Sequence, residues 1–126
     1  YEYLPLYWIE PTRFPYLIYV NKKIAGFILV QKGSPISNDS AIWDMSEFFI
    51  MKKYKRHGIG TAAALKIWQQ FKGPWQVRVW MNNPIACSFW LHAIQKFTSD
   101  PIKTKVNLKE ENWIVYTFES KDKSNL

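Results

Sequence analysis

The densest chemistry in this sequence lies between residues 52 and 61. Lys52, Lys53, Lys55 and Arg56 fall within five positions, His57 follows, and Gly58-Ile59-Gly60-Thr61 leads into an Ala-rich stretch. Glycines let a backbone approach a ligand closely, and the unpaired N–H groups of a helix start point at negative charge. Charge by segment supports an anion site: residues 1–51 sum to −1, residues 52–72 to +6 and residues 73–126 to +2, against a total of +7. A nucleic-acid face spreads its cations to follow a polyanion, whereas one focus suits a compact anion such as a phosphate cluster. The alternative is a tight turn within a solvated basic loop.

Other reactive residues are few. The single Cys87 permits no internal disulfide, which fits a reducing, cytoplasmic setting, and no His or acid stands at a spacing that would make it a nucleophile. Two His and one Cys give no metal-ligand pattern, so no metal is expected. The longest apolar runs, such as Ile24 to Val30, fall far short of the ~18 residues of a membrane span, so no membrane partner is expected. Tyr1-Glu2-Tyr3 shows neither an initiator Met nor a signal pattern and reads as a processed or trimmed beginning. Aromatic residues, seven of them Trp and seven Tyr, could line an acceptor pocket, although most must fill the core of so small a domain.

The elements that must position these residues follow from periodicity. The 126 residues contain no repeat or linker, so residues 1–126 read as one domain, with a frayed polar tail at 121–126. Tyr16 to Val20 and Ile24 to Gln31 form a hairpin about Asn21-Lys22-Lys23, and a third strand runs from Ile42 to Met51. Thr61 to Phe71 is a helix whose polar residues Lys66, Gln69 and Gln70 share one face, and Gly73-Pro74 ends it. Trp75 to Met81 is a strand, parallel to the third because a helix intervenes. Asn83 and Pro84 open a second helix with an apolar stripe of Ala86, Phe89, Trp90, Ala93, Ile94 and Phe97. Strands near Ile102 to Leu108 and Trp113 to Glu119 close the fold as a hairpin. The class is α/β (α+β), with a central mixed, mostly antiparallel sheet and one strand–helix–strand unit.

Two nucleotide-loop patterns fail on this arrangement. Gly58-Ile59-Gly60-Thr61-Ala62-Ala63 formally matches the dinucleotide fingerprint, but about seven residues separate Ile50 from Gly58, and the next strand ends in Met81-Asn82-Asn83 without an acid. No Gly-Lys-Ser/Thr follows, which removes a Walker loop. The longer stretch from Phe48 to Gly60 resembles the coenzyme A-binding segment of the GNAT superfamily of N-acetyltransferases, an apolar strand followed by an aromatic residue and Gln/Arg-x-x-Gly-x-Gly/Ala. Tyr54 takes the aromatic position, Gly58 and Gly60 the glycines, and Lys55 stands where Gln or Arg is usual. Asn83-Pro84-Ile85-Ala86-Cys87-Ser88-Phe89-Trp90 is similar to the family's second motif, and the resemblance covers residues ~14–120. The family's first strand and following two helices would have to precede Tyr16, so a shortened N-terminus is expected.

The resemblance implies roles for individual residues. Backbone N–H groups from Lys55 through Arg56, His57, Gly58, Ile59 and Gly60 to Thr61 would hold the pyrophosphate of acetyl-CoA, with the Lys55 and Arg56 side chains adding charge. The strand at Ile50 and Met51 would splay from its neighbour and offer its backbone edge to the pantetheine arm. Asn83 would contact that arm or simply cap its helix. The general base would be a carboxylate on the third strand, Glu47 or Asp44, with Glu47 preferred; strict alternation puts the two on opposite faces unless a bulge intervenes. Arg78 stands where some members carry a catalytic Glu, and Trp90 replaces the usual Tyr acid. An indole N–H donates a hydrogen bond but delivers no proton, so Trp90 is either a cofactor contact or core.

The resemblance thus implies an acetyl-CoA-dependent N-acetyltransferase acting on a primary amine by direct transfer in a ternary complex; homodimerisation is common in the family and is not read from this sequence. A catalytically degenerate acyl-CoA-binding module is the alternative, and a basic nucleic-acid-binding domain is the more remote one. The acceptor is not specified by these motifs.

Overall fold

A computed structural model describes residues 12–33, 40–107 and 112–121. The elements run β1 (Arg13–Val20), β2 (Lys23–Lys32), β3 (Trp43–Ile50), a short 3-10 turn (Lys52–Tyr54), α1 (Ile59–Gln70), β4 (Gly73–Trp80), α2 (Pro84–Phe97), β5 (Lys103–Asn107) and β6 (Trp113–Ser120). The six strands form one sheet in the order β1-β2-β3-β4-β6-β5. Every neighbouring pair is antiparallel except β3 with β4. The mixed sheet with one strand–helix–strand unit is the architecture the sequence patterns imply. The segment before Thr12, where the missing first elements would have to lie, and the tail beyond Lys121 fall outside the described residues.

Boundaries moved for identifiable reasons. β1 starts at Arg13 and runs through Pro15, which an edge strand tolerates because one side needs no ladder hydrogen bonds. The β1–β2 turn contains two residues, not three: Asn21 and Lys22 both take positive φ, at 50° and 67°, the requirement of a two-residue turn matched to strand twist. Gly73 and Pro74 do more than end α1, since they are already paired with Ser120 and Glu119 as the start of β4.

Both helices cover one face of the sheet. Ile28, Val30, Met45, Trp75, Val77, Val79, Tyr116 and Phe118 point to that face and meet Ala64, Ile67 and Trp68 of α1 and Trp90, Ala93 and Ile94 of α2. Each large apolar side chain taken out of water here contributes about 1.5–3 kcal/mol. Trp68, fully buried, stands at the centre, with its ring against Trp90, Phe97 and Phe118. The exposed face of α1 carries Lys66, Gln69 and Gln70.

Two irregularities of β3 set the shape of the sheet. Leu29 pairs with Glu47 but Val30 pairs with Met45, so Ser46 is an extra residue on β3, a bulge that bends the strand. Parallel pairing of β3 with β4 is confined to Trp43↔Trp75 and Asp44↔Gln76. Beyond that point β3 stays bonded to β2 as far as Ile50, and β4 to β6 as far as Trp80. The sheet therefore opens into a wedge, with its apex at Asp44 and Gln76 and its mouth at the C-terminal ends of β3 and β4.

Candidate functional site

A wedge in a sheet leaves backbone groups facing each other across a gap. The Met51 N–H donates to the Ala25 carbonyl at 2.7 Å. Because successive residues of a strand turn their N–H and C=O groups to alternate neighbours, Phe48 and Ile50 direct theirs toward the wedge, where β4 offers them no partner. Ile50 thus supplies the expected edge. Met51 does not, because its N–H is held by Ala25 and its carbonyl accepts from the Tyr54 N–H at 2.9 Å. Phe48 takes that place. It was missed because which carbonyl meets which N–H depends on strand pairing, which residue type does not show.

Gly26 is a second residue without a sequence signature. It sits opposite Ile50, and a Cβ there would lie 2.0 Å from the Phe49 carbonyl oxygen. Only glycine lets β2 press this closely against the arm of β3 that lines the wedge.

At the mouth the chain turns through residues 51–58 into α1. Arg56 and Gly58 both have positive φ, 67° and 77°. Gly58 is the N-cap, without a side-chain cap, and the first turn of α1 contains no acidic residue. The first N–H to find a helical acceptor is that of Ala62, which donates to Gly58 at 3.0 Å. Among the described residues, the N–H groups of Arg56, His57, Gly58, Ile59, Gly60 and Thr61 therefore donate to no protein acceptor. Lys55 is the exception in the expected set, since its N–H closes the 3-10 turn onto Lys52 at 3.2 Å. Its side chain and those of Lys52, Lys53, Arg56 and His57 are exposed, and none is ion-paired among the described residues.

The two glycines of the loop have separate tasks. Gly58 has open space around it and is needed for its left-handed backbone. Gly60 has an ordinary φ, but a Cβ on it would meet the Phe89 ring at 3.2 Å and Ile50 at 3.6 Å. It lets the start of α1 sit against α2 and the end of β3, which brings the uncapped helix terminus to the wedge.

The carboxylates lie on the sheet face away from the helices. The bulge at Ser46 reverses the alternation, so Asp44 and Glu47 share that face. Asp44 is fully buried at the apex. Its Oδ1 accepts from Gln76 Nε2 at 2.9 Å and Arg78 Nε at 3.1 Å, and its Oδ2 from Ser46 Oγ at 2.7 Å and Arg78 Nη2 at 3.0 Å. A carboxylate that accepts four hydrogen bonds from three residues and has no solvent contact holds strands together and has no lone pair to offer an amine. Glu47, half-buried and three residues farther along β3 toward the mouth, has no hydrogen-bond or ion-pair partner among the described residues.

α2 carries Asn83, at its N-cap, and Trp90. The Asn83 side-chain oxygen accepts from the Ala86 N–H at 3.0 Å, with Pro84 at the first helical position, so it caps the helix. Asn83→Ala is expected to cost about 1 kcal/mol, read as a fall of about 4 °C in Tm; an unchanged Tm would take the cap out of the stability account. Trp90 lies in the core, 8% exposed, its ring 4.8 Å from Phe48 and 4.9 Å from Phe89. That packing makes the indole part of the core. Cys87 is half-buried, its thiol 3.6 Å from the Trp80 carbonyl. Beside it the Tyr116 hydroxyl lies 3.5 Å from the Cys87 carbonyl; burial first, and then Cys87, push its pKa above the ordinary tyrosine value.

Among the described residues no three His, Cys, Asp or Glu side chains converge to hold a metal ion, and no helix is long and apolar enough to cross a membrane. The wedge and the uncapped helix fit a long ligand with a polar, hydrogen-bonding arm and an anionic head.

Known proteins share the family and the fold. Residues 1–93 match the model of the family described as Acetyltransferase (GNAT) family. No curated protein matches the chain. Among solved structures, an acetyltransferase from Thermus thermophilus is similar with a TM-score of 0.74 at 15% identity, covering 94% of this chain and 71% of that one. PaiA N-acetyltransferase from Thermoplasma acidophilum, in complex with coenzyme A, gives 0.62 at 15% identity, over 86% of this chain and 61% of its own. A Bacillus anthracis protein described as a streptothricin acetyltransferase, in complex with acetyl coenzyme A, also gives 0.62, at 18% identity, over 91% and 66%.

Proposed function

The chain belongs to the acetyltransferase (GNAT) family, and from that premise we propose that it transfers the acetyl group of acetyl-CoA to a primary amine, directly, within a ternary complex. One observation carries this reading: the unpaired edge of β3 leads straight to an uncapped helix start surrounded by unpaired cations. The residues present suit both ends of the ligand. Phe48 and Ile50 offer strand-like hydrogen bonds to the amides of the pantetheine arm. The N–H groups of Arg56 to Thr61, with the Lys55 and Arg56 side chains, meet the pyrophosphate, aided by the positive end of the α1 dipole. A guanidinium fork at position 55 would add bidentate contacts that Lys55, a point charge, lacks.

When bound, acetyl-CoA supplies the thioester whose C–S bond breaks as a C–N bond to the amine forms, the electron pair leaving on sulfur. Glu47 is the base. Of the two protons that an ammonium substrate sheds, one goes to Glu47 and the other ends on the leaving sulfur. The Phe48 N–H, aimed into the wedge nearer its apex, stabilises charge that develops on the acetyl oxygen, which leaves the Phe48 carbonyl and the Ile50 groups for the arm. Asp44 is a positioning residue that closes the apex.

Titrating acetyl-CoA while following thermal unfolding tests the ligand assignment. At a hundredfold excess over Kd the expected stabilisation is about 2.7 kcal/mol, and a variant carrying both Lys55→Gln and Arg56→Gln should need a higher concentration to reach it. No shift at millimolar acetyl-CoA would overturn the assignment. The burial of Trp90 where relatives use a Tyr acid favours a second reading, an acyl-CoA-binding module without catalysis. Failure to release thiol with a broad amine panel, despite tight acetyl-CoA binding, would select it.

A further inference from the structure

The sheet face away from the helices carries an aromatic pair on each arm of the wedge. On the β2–β3 arm, Phe27 and Phe49 stack with centroids 5.5 Å apart, and Phe49 is 48% exposed. On the β4–β6 arm, Trp80 and Trp113 pair at 6.2 Å, and Trp80 is 54% exposed. Phe49 lies five residues beyond the apex residue Asp44, one of them the bulge, and Trp80 four beyond Gln76. At about 3.3 Å per residue the two pairs stand at similar heights, one on each side of the opening. Exposed aromatics cost solvation, and two pairs flanking one cleft on the Glu47 face are unlike singly scattered surface rings.

Charge decides what suits the space between them. Arg78, the cation of this face of β4, is neutralised by two hydrogen bonds to buried Asp44, and the same guanidinium lies 5.6 Å from the Trp113 ring centroid. Asp44 thus steadies Arg78, Arg78 steadies Trp113, and Trp113 backs Trp80. Among the described residues of the two strands that border the wedge on this face, Glu47 has a charge without a partner, while Lys103 and Lys105 of β5 share the face two strands away from β4. A cleft with aromatic walls and one free carboxylate attracts an ammonium group through charge and cation–π interaction, and an aromatic ring through stacking. It repels a carboxylate attached to the same molecule.

We infer that the acceptor is an arylalkylamine without an anionic group, its ring held between Phe49 and Trp80 and its amine directed toward Glu47. This inference rests on the proposed acetyl transfer and names the substrate class of that site. Its chemistry is the balanced transfer above: the amine nitrogen gains the acetyl carbon, and the thiol leaves.

Two measurements test it independently of turnover. Calorimetric titration of 2-phenylethylamine and tryptamine into the protein saturated with coenzyme A should show binding at least tenfold tighter than for phenylalanine or spermidine. Thiol release should rank the same four amines in that order by kcat/KM. Trp80→Ala is expected to raise the KM for tryptamine about three- to tenfold, the size of a lost aromatic contact, with kcat within twofold and the thermal shift by acetyl-CoA retained. Because Trp80 is half-exposed, the variant should fold; Phe49→Ala checks the other wall in the same way. Equal or tighter binding of phenylalanine or spermidine, or an unchanged KM in both variants, overturns the inference. If acetyl-CoA binds and no amine is acetylated, the transfer reading fails, and the calorimetric ranking still decides the acceptor cleft.

Discussion

Replacing Glu47 by glutamine is expected to lower kcat by about 10²–10⁴, the usual worth of a positioned general base, while the thermal shift produced by acetyl-CoA stays as large as in the parent protein. Gln keeps the volume and a hydrogen-bonding oxygen but accepts no proton at neutral pH. Glu47 stands on the paired arm of β3, three residues from the apex, with no partner among the described residues to hold its charge. Little folding stability should depend on it, so a loss of rate with unchanged Tm and unchanged acetyl-CoA binding isolates the chemical role. Turnover within threefold of the parent protein would remove Glu47 from the mechanism.

The second large effect concerns the apex. Arg78→Met is expected to destabilise the protein by about 3 kcal/mol, the lower end of what removing one partner of a buried ion pair costs. The lower end applies because the Arg78 side chain is 18% exposed while Asp44 is at 0%, and because Gln76 and Ser46 still donate to the carboxylate. The uncompensated charge would remain at the last residue pair joining β3 to β4, so the two halves of the sheet lose their main polar tie. Urea denaturation reads the loss as a lower midpoint. Adding Asp44→Leu to Arg78→Met should recover most of it, since an apolar replacement of a whole buried pair is often near neutral. A single variant as stable as the parent would show that the pair contributes nothing at the apex.

These two residues also show where sequence reasoning stops. Asp44 and Glu47 are both carboxylates on one strand, and alternation assigned them to opposite faces. The bulge at Ser46 put them on one face, and only the Arg78 and Gln76 side chains from β4 separate a satisfied, buried acid from an unpaired one. Nothing local to residues 43–50 signals which strand will supply those partners. Trp90 likewise sits on an apolar stripe and in a motif position at once, and only the tertiary structure shows its contacts with Phe48 and Trp68 in the core.

Local patterns carry information when the physics behind them is local. Helix periodicity, the Asn83-Pro84 start and the positive charge massed before Gly58 depend on residues within a few positions of one another, and they determined the element order, the sheet class and the cation-flanked helix start. The wedge is different. It arises because β3 and β4 pair at two positions and then follow different neighbours, so its free edge belongs to Phe48 and Ile50 and not to Met51. Gly26 matters because Phe49 of another strand passes 2.0 Å from where its Cβ would be. The aromatic walls stand at one height because the pairings of β2 with β3 and of β4 with β6 carry them there. Each of these depends on contact between residues far apart in the chain, and such contacts are fixed only when the whole sheet closes.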